Sequence, residues 1–325
     1  MLEGAMLEIK HILFADDFSE CAEKALPIAL ALAQTHSAAL HLLHVVVPYE
    51  EARGLSALTQ EEEARLKERM RERLETAKQL ARKDAAAAVK TAIAIERDIA
   101  PAPGILDYAE EQGIDLIVMG THGRRGFRHF LMGSVAEEVV RLARCPVITT
   151  RQQVDPWNVH PPRRLLVPVD FSEHSRMALR YGRELAAQFG GRLTVLYVIE
   201  ELLHPAFYNT GVFSIYDIMP DVEERSKKAL EEFVVRTDGP GVPIQYRVVH
   251  GKAVREILHE AEREPADLIV MSTHGLTGLQ HLLLGSVTER VVRQAPCPVL
   301  VTKAFGKSLF RSVEAKAAMQ ASSAT

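Results

Sequence analysis

The chain has few of the features that mark secreted, membrane-spanning or nucleic-acid-binding proteins. Only three of its 325 residues are cysteine, and they lie far apart, so we expect no disulfide framework. No apolar run approaches the roughly 20 residues of a membrane span, and no basic segment followed by an apolar run predicts a signal peptide. The formal net charge of −4 gives no attraction to nucleic acid or acidic membranes. We therefore expect a cytoplasmic, reduced protein with no nucleic-acid or membrane partner.

Several enzyme motifs are missing as well. The sequence contains no GxxxxGK[ST] phosphate loop, no GxGxxG after the first predicted strand and no GxSxG nucleophile elbow. It also has no HExxH motif and no Cys/His cluster with the spacing of a metal site. No general base is paired with a nucleophile, so we expect a protein that is not an enzyme, or one whose turnover is slow.

An internal duplication is the most informative feature that is present. Residues 120–150 align with 272–302 without a gap, and 18 of these 31 positions are identical. Earlier in each half, FADDFSE (14–20) matches VPVDFSE (167–173). Solenoid repeats have about 20–50 residues, so this much longer repeat predicts two homologous domains. The predicted organisation is a first domain over 1–151, an exposed linker over 152–163, a second domain over 164–304 and a frayed tail over 305–325.

Short apolar runs alternate with amphipathic segments in both halves. Strands rich in Val, Ile and Leu that alternate with helices predict an α/β fold, with a parallel sheet covered on both faces. Thr59 with Glu62, and Asp221 with Glu224, have the spacing of a capping box at a helix start. The predicted strands are 11–16, 40–47, 89–96, 115–120 and 146–150 in the first domain, and 164–169, 192–199, 244–250, 267–272 and 298–302 in the second.

The loop after the fourth predicted strand combines glycines with a helix start. In the first domain Gly120-x2-Gly123-x9-Gly133-Ser134 leads into the helical segment SVAEEVVRLA. Glycine allows close approach of a ligand, and a helix N-terminus presents N–H groups and a positive dipole end that suit phosphate. The alternative is plain turn chemistry, in which Ser134 with Glu137, and Ser286 with Glu289, form capping boxes. Spacing alone leaves both interpretations open.

This duplicated motif resembles that of the universal stress protein family, G-x2-G-x9-G-[ST] after the fourth strand of a flavodoxin-like domain. The resemblance covers both halves and implies a tandem member, with two flavodoxin-like or Rossmann-like domains of the adenine nucleotide alpha hydrolase-like type. It implies ATP as the ligand, with or without Mg²⁺. The residues implied for the phosphates and ribose are Gly120, Gly123, Gly133, Ser134 and Val135 in the first domain, and Gly275, Gly285, Ser286 and Val287 in the second. Those implied for the nucleoside are Asp17 and Asp170, and for adenine the backbones of Val45 and Val198.

Each of the implied side-chain roles has an alternative. Asp17 and Asp170 could instead help to cap the helices that start near Ser19 and Ser172. A valine at a strand end, such as Val45, is ordinarily a core residue. The loop arginines of the first domain could pair with a triphosphate or form a solvated face. These arginines are Arg124, Arg125 and Arg128.

The sequence also departs from the family pattern in three places. Ser272 replaces the first motif glycine in the second domain. Ile99 stands in the first domain where the second has Gly251, so the first site would be narrower. Asp16 adds a negative charge beside the first site, where the second domain has a valine.

The resemblance implies a stress-response regulatory protein that binds ATP without turning it over. It also implies an intramolecular pseudo-dimer in which the final strands, PVITT and PVLVT, pair with each other, together with a regulatory protein partner. A homodimer of such chains is left open. Two rival functions remain at this point, a slow ATP hydrolase or nucleotidyl-transfer enzyme and a scaffold that binds no nucleotide.

Overall fold

Ten strands and eight helices are present in the part of the chain that the computed structural model describes. The described residues are 7–47, 59–80, 89–122, 132–154, 157, 161–200, 219–273, 284–303 and 309–310. The strands are β1 (His11–Ala15), β2 (Ala39–Val46), β3 (Thr91–Arg97), β4 (Leu116–Gly120), β5 (Val147–Thr150), β6 (Arg164–Val169), β7 (Arg192–Ile199), β8 (Ile244–His250), β9 (Leu268–Ser272) and β10 (Val299–Thr302). The helices are α1 (Glu20–His36), α2 (Gln60–Leu80), α3 (Pro101–Glu111), α4 (Ser134–Leu142), α5 (Glu173–Phe189), α6 (Val222–Val235), α7 (Ala253–Arg263) and α8 (Ser286–Gln294).

All ten strands form one sheet in the order β3-β2-β1-β4-β5-β10-β9-β6-β7-β8. Every neighbouring pair is parallel except β5 and β10, which pair antiparallel with Leu300 opposite Ile148. The predicted pairing of the two final strands is therefore confirmed. It joins two five-stranded, doubly wound α/β units into the expected intramolecular pseudo-dimer.

The strand order determines where a ligand can bind. In each unit the first three strands are added toward one side of the sheet and the last two toward the other. The strand order therefore reverses between β1 and β4 in the first unit, and between β6 and β9 in the second. Ligands of doubly wound sheets bind at the carboxyl ends of strands at such a reversal. Because β5 and β10 run antiparallel, the strands of the two units point in opposite directions. The carboxyl ends of their strands, where ligands would bind, therefore lie on opposite sides of the common sheet.

Alternating side chains of the strands pack against helices on both faces. Phe14 of β1 belongs to a core cluster with residues of α1, α2, α5 and α6, such as Met70 and Tyr181. Its neighbour Leu13 belongs to a second cluster with residues of α3, α4, α7 and α8, such as Val139. The apolar runs are thus buried on both sides, as the sequence predicts for parallel strands. No helix among the described residues is both long and apolar enough to cross a membrane.

The predicted helix starts had mixed outcomes. Thr59 and Glu62 form the reciprocal capping box, with the Thr59 N–H donating to Glu62 Oε2 at 2.9 Å and the Glu62 N–H donating to Thr59 Oγ1 at 3.2 Å. The matching prediction for Asp221 and Glu224 is wrong. Asp221 makes no side-chain cap and instead accepts from Arg225 Nε at 2.6 Å.

The linker and tail contain buried residues that we expected to be exposed. Trp157 is buried, and its Nε1–H donates to the Asp267 carbonyl at 3.2 Å. In the tail, Leu309 is buried and its carbonyl accepts from the Glu8 N–H at 2.8 Å. Phe310 packs edge-to-face against Tyr181, with ring centroids 4.8 Å apart. Both departures arise because these apolar side chains cover the ends of the domain core.

Candidate functional site

In the first domain, the loop that follows β1 is bonded both to β2 and to the residues that follow β4. The Asp16 N–H donates to the Leu43 carbonyl of β2 at 2.8 Å. The Ser19 hydroxyl donates to the carbonyl of His122, just after β4, at 3.2 Å. The first-strand loop is therefore bonded to both neighbours at the carboxyl edge of the sheet, where the sequence predicts the site.

The fourth-strand loop is closed by a second set of backbone bonds. The Thr121 N–H donates to the carbonyl of Thr150 at 2.9 Å, and the Gly133 N–H donates to the carbonyl of Thr121 at 2.8 Å. These bonds hold the start of α4 beside the end of β4. The second domain repeats both bonds. The Thr273 N–H donates to the carbonyl of Thr302 at 3.1 Å, and the Gly285 N–H donates to the carbonyl of Thr273 at 2.8 Å.

The helices α4 and α8 begin without a side-chain cap. Gly133 and Gly285 are the N-cap residues, and neither helix has a side-chain cap bond. Ser134 and Ser286 are therefore the first helical residues rather than the caps, so the capping-box alternative for both loops is wrong. The first-turn N–H groups of an α-helix have no intrahelical acceptor. In α4 these are the N–H groups of Ser134, Val135 and Ala136, and Ser134 is exposed.

The cap glycine is also required by the loop itself. A Cβ atom placed on Gly285 would lie 2.9 Å from the Thr273 carbonyl oxygen, which accepts the glycine N–H. A larger side chain at Gly285 would therefore disturb the bond that closes the loop. For this reason, a glycine replacement at the cap cannot separate loss of a ligand from loss of the loop.

The first motif glycine is needed for packing against α1. A Cβ atom on Gly120 would lie 2.8 Å from the Cys21 Cβ and 3.0 Å from the Ala22 nitrogen. The position that a Cβ atom of residue 120 would occupy thus faces the first turn of α1 rather than the N-terminus of α4. The second domain has Ser272 at this position, at the end of β9.

The predicted aspartates lie at the site and support the caps of the neighbouring helices. Asp17 accepts from the Ser19 N–H at 3.0 Å, and Asp170 accepts from the N–H and hydroxyl of Ser172 at 3.1 and 2.6 Å. Ser19 and Ser172 are themselves the N-caps of α1 and α5. The capping alternative therefore holds in part, because each aspartate orients the serine that caps the helix. Both aspartates are half-buried at the carboxyl edge.

A phenylalanine with left-handed backbone follows each aspartate. Phe18 has φ of 62° and Phe171 has φ of 64°. A bulky residue in this region costs roughly 1–3 kcal/mol, and such strain is retained where surrounding packing enforces it. Phe18 packs on His44 at 4.6 Å between ring centroids, and Phe171 packs on Tyr197 at 4.5 Å. The sequence did not predict this turn, although the phenylalanine belongs to the FSE segment that is repeated in both domains.

Beneath this turn the two domains are packed differently. In the first domain the Asp16 carboxylate is buried, Arg73 of α2 lies 3.2 Å from its Oδ1, and the His44 Nδ1–H donates to the Asp16 carbonyl at 2.6 Å. Burial raises the pKa of Asp16, and the Arg73 cation opposes that rise. The second domain has apolar or aromatic residues in the corresponding places, where Val169 and Tyr197 match Asp16 and His44 in the repeat and Phe233 covers Phe171. The charge of Asp16 noted in the sequence is therefore paired inside the protein.

The remaining predicted positions lie at the same edge. Val45 and Val198 are half-buried near the ends of β2 and β7. Ile99 is 80% exposed, and its counterpart Gly251 has φ of +145°, a conformation that favours glycine. Gly251 is thus explained by its backbone, and it need not make room for a base.

Part of the motif lies outside the described residues. This applies to Gly123 and Gly275 and to the three loop arginines of the first domain, Arg124, Arg125 and Arg128. Within the described ranges no group of three or more His, Cys, Asp or Glu side chains could hold a metal ion. All three cysteines are buried, as predicted, and none of them is in a disulfide.

Comparison with known proteins identifies related sequences and folds. The model of the universal stress protein family matches residues 8–151 and 162–303. The chain is 33% identical over 141 residues to a universal stress protein of Methanocaldococcus jannaschii, MJ0531, which covers 43% of this chain and 82% of that protein. It is 28% identical over 208 residues to universal stress protein Rv2005c of Mycobacterium tuberculosis, covering 62% of this chain and 66% of that protein. A solved universal stress protein from Archaeoglobus fulgidus aligns with 90% of this chain and 98% of its own, at 23% identity and a TM-score of 0.59, which shows a shared fold.

Proposed function

Because the chain belongs to the universal stress protein family, we propose that it is a cytoplasmic stress-response regulator that binds ATP at the N-termini of α4 and α8. The uncapped start of each helix is the observation that carries this proposal. Gly133 and Gly285 cap the helices without a side chain, and the exposed Ser134 and Ser286 follow. The dipole and N–H groups of a helix N-terminus favour a phosphate group.

The surrounding residues fit the other parts of the nucleotide. Asp17 and Asp170 lie in the loops that follow β1 and β6 at the carboxyl edge of the sheet, where a carboxylate can accept from ribose hydroxyls. Val45 and Val198 would line the base. Arg73 pairs with the buried Asp16, which lessens the repulsion that this carboxylate would exert on a triphosphate. Mg²⁺, where present, would be held chiefly by the phosphates, because the described residues hold no cluster of metal ligands.

We propose that bound ATP acts by favouring one conformation of the site and so changing the surface that a regulatory protein meets. A ligand that binds one loop conformation better shifts the population toward it, and no turnover is needed. A homodimer is a further proposal within the same account. A slow hydrolase is the rival, and a single-turnover time course with Mg²⁺ separates the two functions. Release of ADP within minutes would favour the hydrolase.

Replacement of the first helical serine tests the site without disturbing the cap glycine. Ser134→Asp and Ser286→Asp place a negative charge at the helix N-terminus, where it stabilises the helix and repels phosphate. Ser134→Asn and Ser286→Asn have nearly the same shape without the charge and serve as controls. Calorimetry on the full chain should show ATP binding at two sites in the double Asn variant and none in the double Asp variant.

The single variants assign each site. Ser134→Asp should remove the first-domain site alone, and Ser286→Asp the second-domain site alone. ATP binding that survives in the double Asp variant would place the nucleotide elsewhere, and absence of binding in the unmodified chain would favour the scaffold.

A further inference from the structure

Each phosphate-site helix is held at its far end by a basic residue of the other domain. Arg151, which directly follows β5, donates through Nη1 to the carbonyls of Gln294 at 2.9 Å and Ala295 at 3.4 Å. These carbonyls terminate α8 in the second domain. Lys303, which directly follows β10, donates through Nζ to the carbonyl of Val140, in the last turn of α4 in the first domain.

The two donors are equivalent under the internal duplication, and each bonds a carbonyl at the C-terminal end of the opposite helix. Arg151 and Lys303 are 303 − 151 = 152 positions apart, the same offset that aligns the two fourth-strand loops. The antiparallel pairing of β5 with β10 places the end of each strand beside the other domain, where the opposite helix ends. The last carbonyls of a helix lack intrahelical donors, and a cation there also complements the negative end of the dipole.

The same basic residues are adjacent to the loops of their own domains. Thr150, next to Arg151, accepts from the Thr121 N–H of the first-domain loop at 2.9 Å. Thr302, next to Lys303, accepts from the Thr273 N–H of the second-domain loop at 3.1 Å. Each basic residue therefore directly follows the threonine whose carbonyl accepts from the loop of its own domain. Its side chain bonds the end of the helix that forms the site of the other domain.

We infer that Arg151 and Lys303 are positioning residues, each holding the phosphate-binding helix of the opposite domain. Both helices have only nine residues, so their last turn is about 13 Å from the first and fraying at one end weakens the N–H array at the other. The nucleotide readout of this inference rests on the proposed function, but the positioning of the helices does not.

The test measures each site in the full chain with the other site blocked. In the Ser134→Asp background only the second-domain site binds ATP, and Arg151→Ala should weaken that binding about two- to fivefold while Lys303→Ala leaves it unchanged. In the Ser286→Asp background the pattern reverses, and Lys303→Ala weakens the first-domain site. Arg144→Ala is the matched control, because Arg144 is exposed and pairs with Glu110 of its own domain. Arg151→Lys and Lys303→Arg should restore binding.

Hydrogen exchange on the protein without nucleotide gives a readout that does not need ATP. Arg151→Ala should accelerate exchange in a peptide covering 286–295, and Lys303→Ala in one covering 134–143, with no change in Arg144→Ala. Should alanine prevent folding, Arg151→Gln and Lys303→Gln replace it with the same crossed pattern expected. Effects confined to the domain of the mutation, or no effect on exchange, would overturn the inference. Failure of ATP to bind either blocked background would instead overturn the proposed function, and the exchange experiment would still decide the positioning role.

Discussion

The Arg73 guanidinium lies 3.2 Å from the carboxylate of Asp16, which is fully buried at the end of β1. Arg73 also donates to the Ser19 carbonyl at 3.1 Å, so one side chain of α2 holds both ends of the first-strand turn. The second domain achieves the same turn with Val169 below it and Phe233 above it. Apolar side chains could therefore replace the Asp16–Arg73 pair as a whole. Removal of one partner alone would leave the other without its counter-charge.

Removing Arg73 alone should be strongly destabilising. Arg73→Met leaves a buried carboxylate without its cation, and we expect a loss of about 3 kcal/mol in the free energy of unfolding at pH 7. The double variant Asp16→Val with Arg73→Met copies the second domain and should recover most of that loss. Urea unfolding measures both, and Arg71→Met, whose side chain makes an exposed pair with Glu68, is the control. Equal losses in the single and double variants would contradict the pairing.

The same variant should show a distinct pH dependence. Burial raises the pKa of Asp16, and loss of Arg73 lets it rise further. A carboxyl whose pKa is raised in the folded state binds its proton more tightly there, so it favours folding at low pH and loses that contribution as pH rises. The penalty of Arg73→Met should therefore be smaller near pH 5 than at pH 7. A penalty that is constant with pH would argue that Asp16 keeps its charge in both proteins.

Gly120 and Ser272 occupy matched positions but should tolerate substitution differently. Gly120→Ala places a Cβ 2.8 Å from that of Cys21 and should cost about 1–3 kcal/mol through overpacking. Ser272→Ala keeps a Cβ that the second domain already accommodates, so it should cost less than about 1 kcal/mol. Thermal unfolding of the two variants compares them directly. A harmless Gly120→Ala would contradict the packing role of this glycine.

Lys303 should make stability depend on pH in the neutral to alkaline range. Burial lowers the pKa of Lys303 to about 7. Between that value and its unfolded pKa of about 10.4, the unfolded chain binds more protons, so stability rises with pH by up to about 1.4 kcal/mol per pH unit. Relative to Lys303→Met, the unmodified chain should therefore gain stability from pH 7 to pH 9. Lys10→Met is the control, because Lys10 is exposed. If the stability difference between the unmodified chain and Lys303→Met did not change with pH, Lys303 would have the same pKa in the folded and unfolded chains.

The repeated apolar runs predicted the strands and their parallel pairing, because these features depend on local patterns. The contact between the final strands came instead from the family resemblance that the duplicated motif carries. The Asp16–Arg73 pair depends on a contact between residues 57 positions apart, 73 − 16 = 57, in segments with no shared pattern. The cross-domain contact of Arg151 with Gln294 is equally invisible to local spacing.

The capping-box alternative failed because it placed the helix start one residue too late. Ser134 and Glu137 have the letters of a capping box, but Gly133 takes the cap position because its N–H is bonded to the Thr121 carbonyl. That bond forms only when β4 and α4 are packed together, so the sequence alone could not reveal it. Its consequence is an uncapped helix N-terminus, which is the feature that the proposed function requires.

The most direct test of the central claim observes the amide groups of Val135 and Val287 during an ATP titration. Serine is followed by valine at only three places, 134–135, 286–287 and 312–313. Labelling serine carbonyls with carbon-13 and valine amides with nitrogen-15 therefore isolates three signals in a carbonyl-selected spectrum. We predict that the Val135 and Val287 signals shift on addition of ATP while that of Val313 stays in place as the internal reference. Bound ATP with all three signals unmoved would contradict phosphate binding at these helix N-termini.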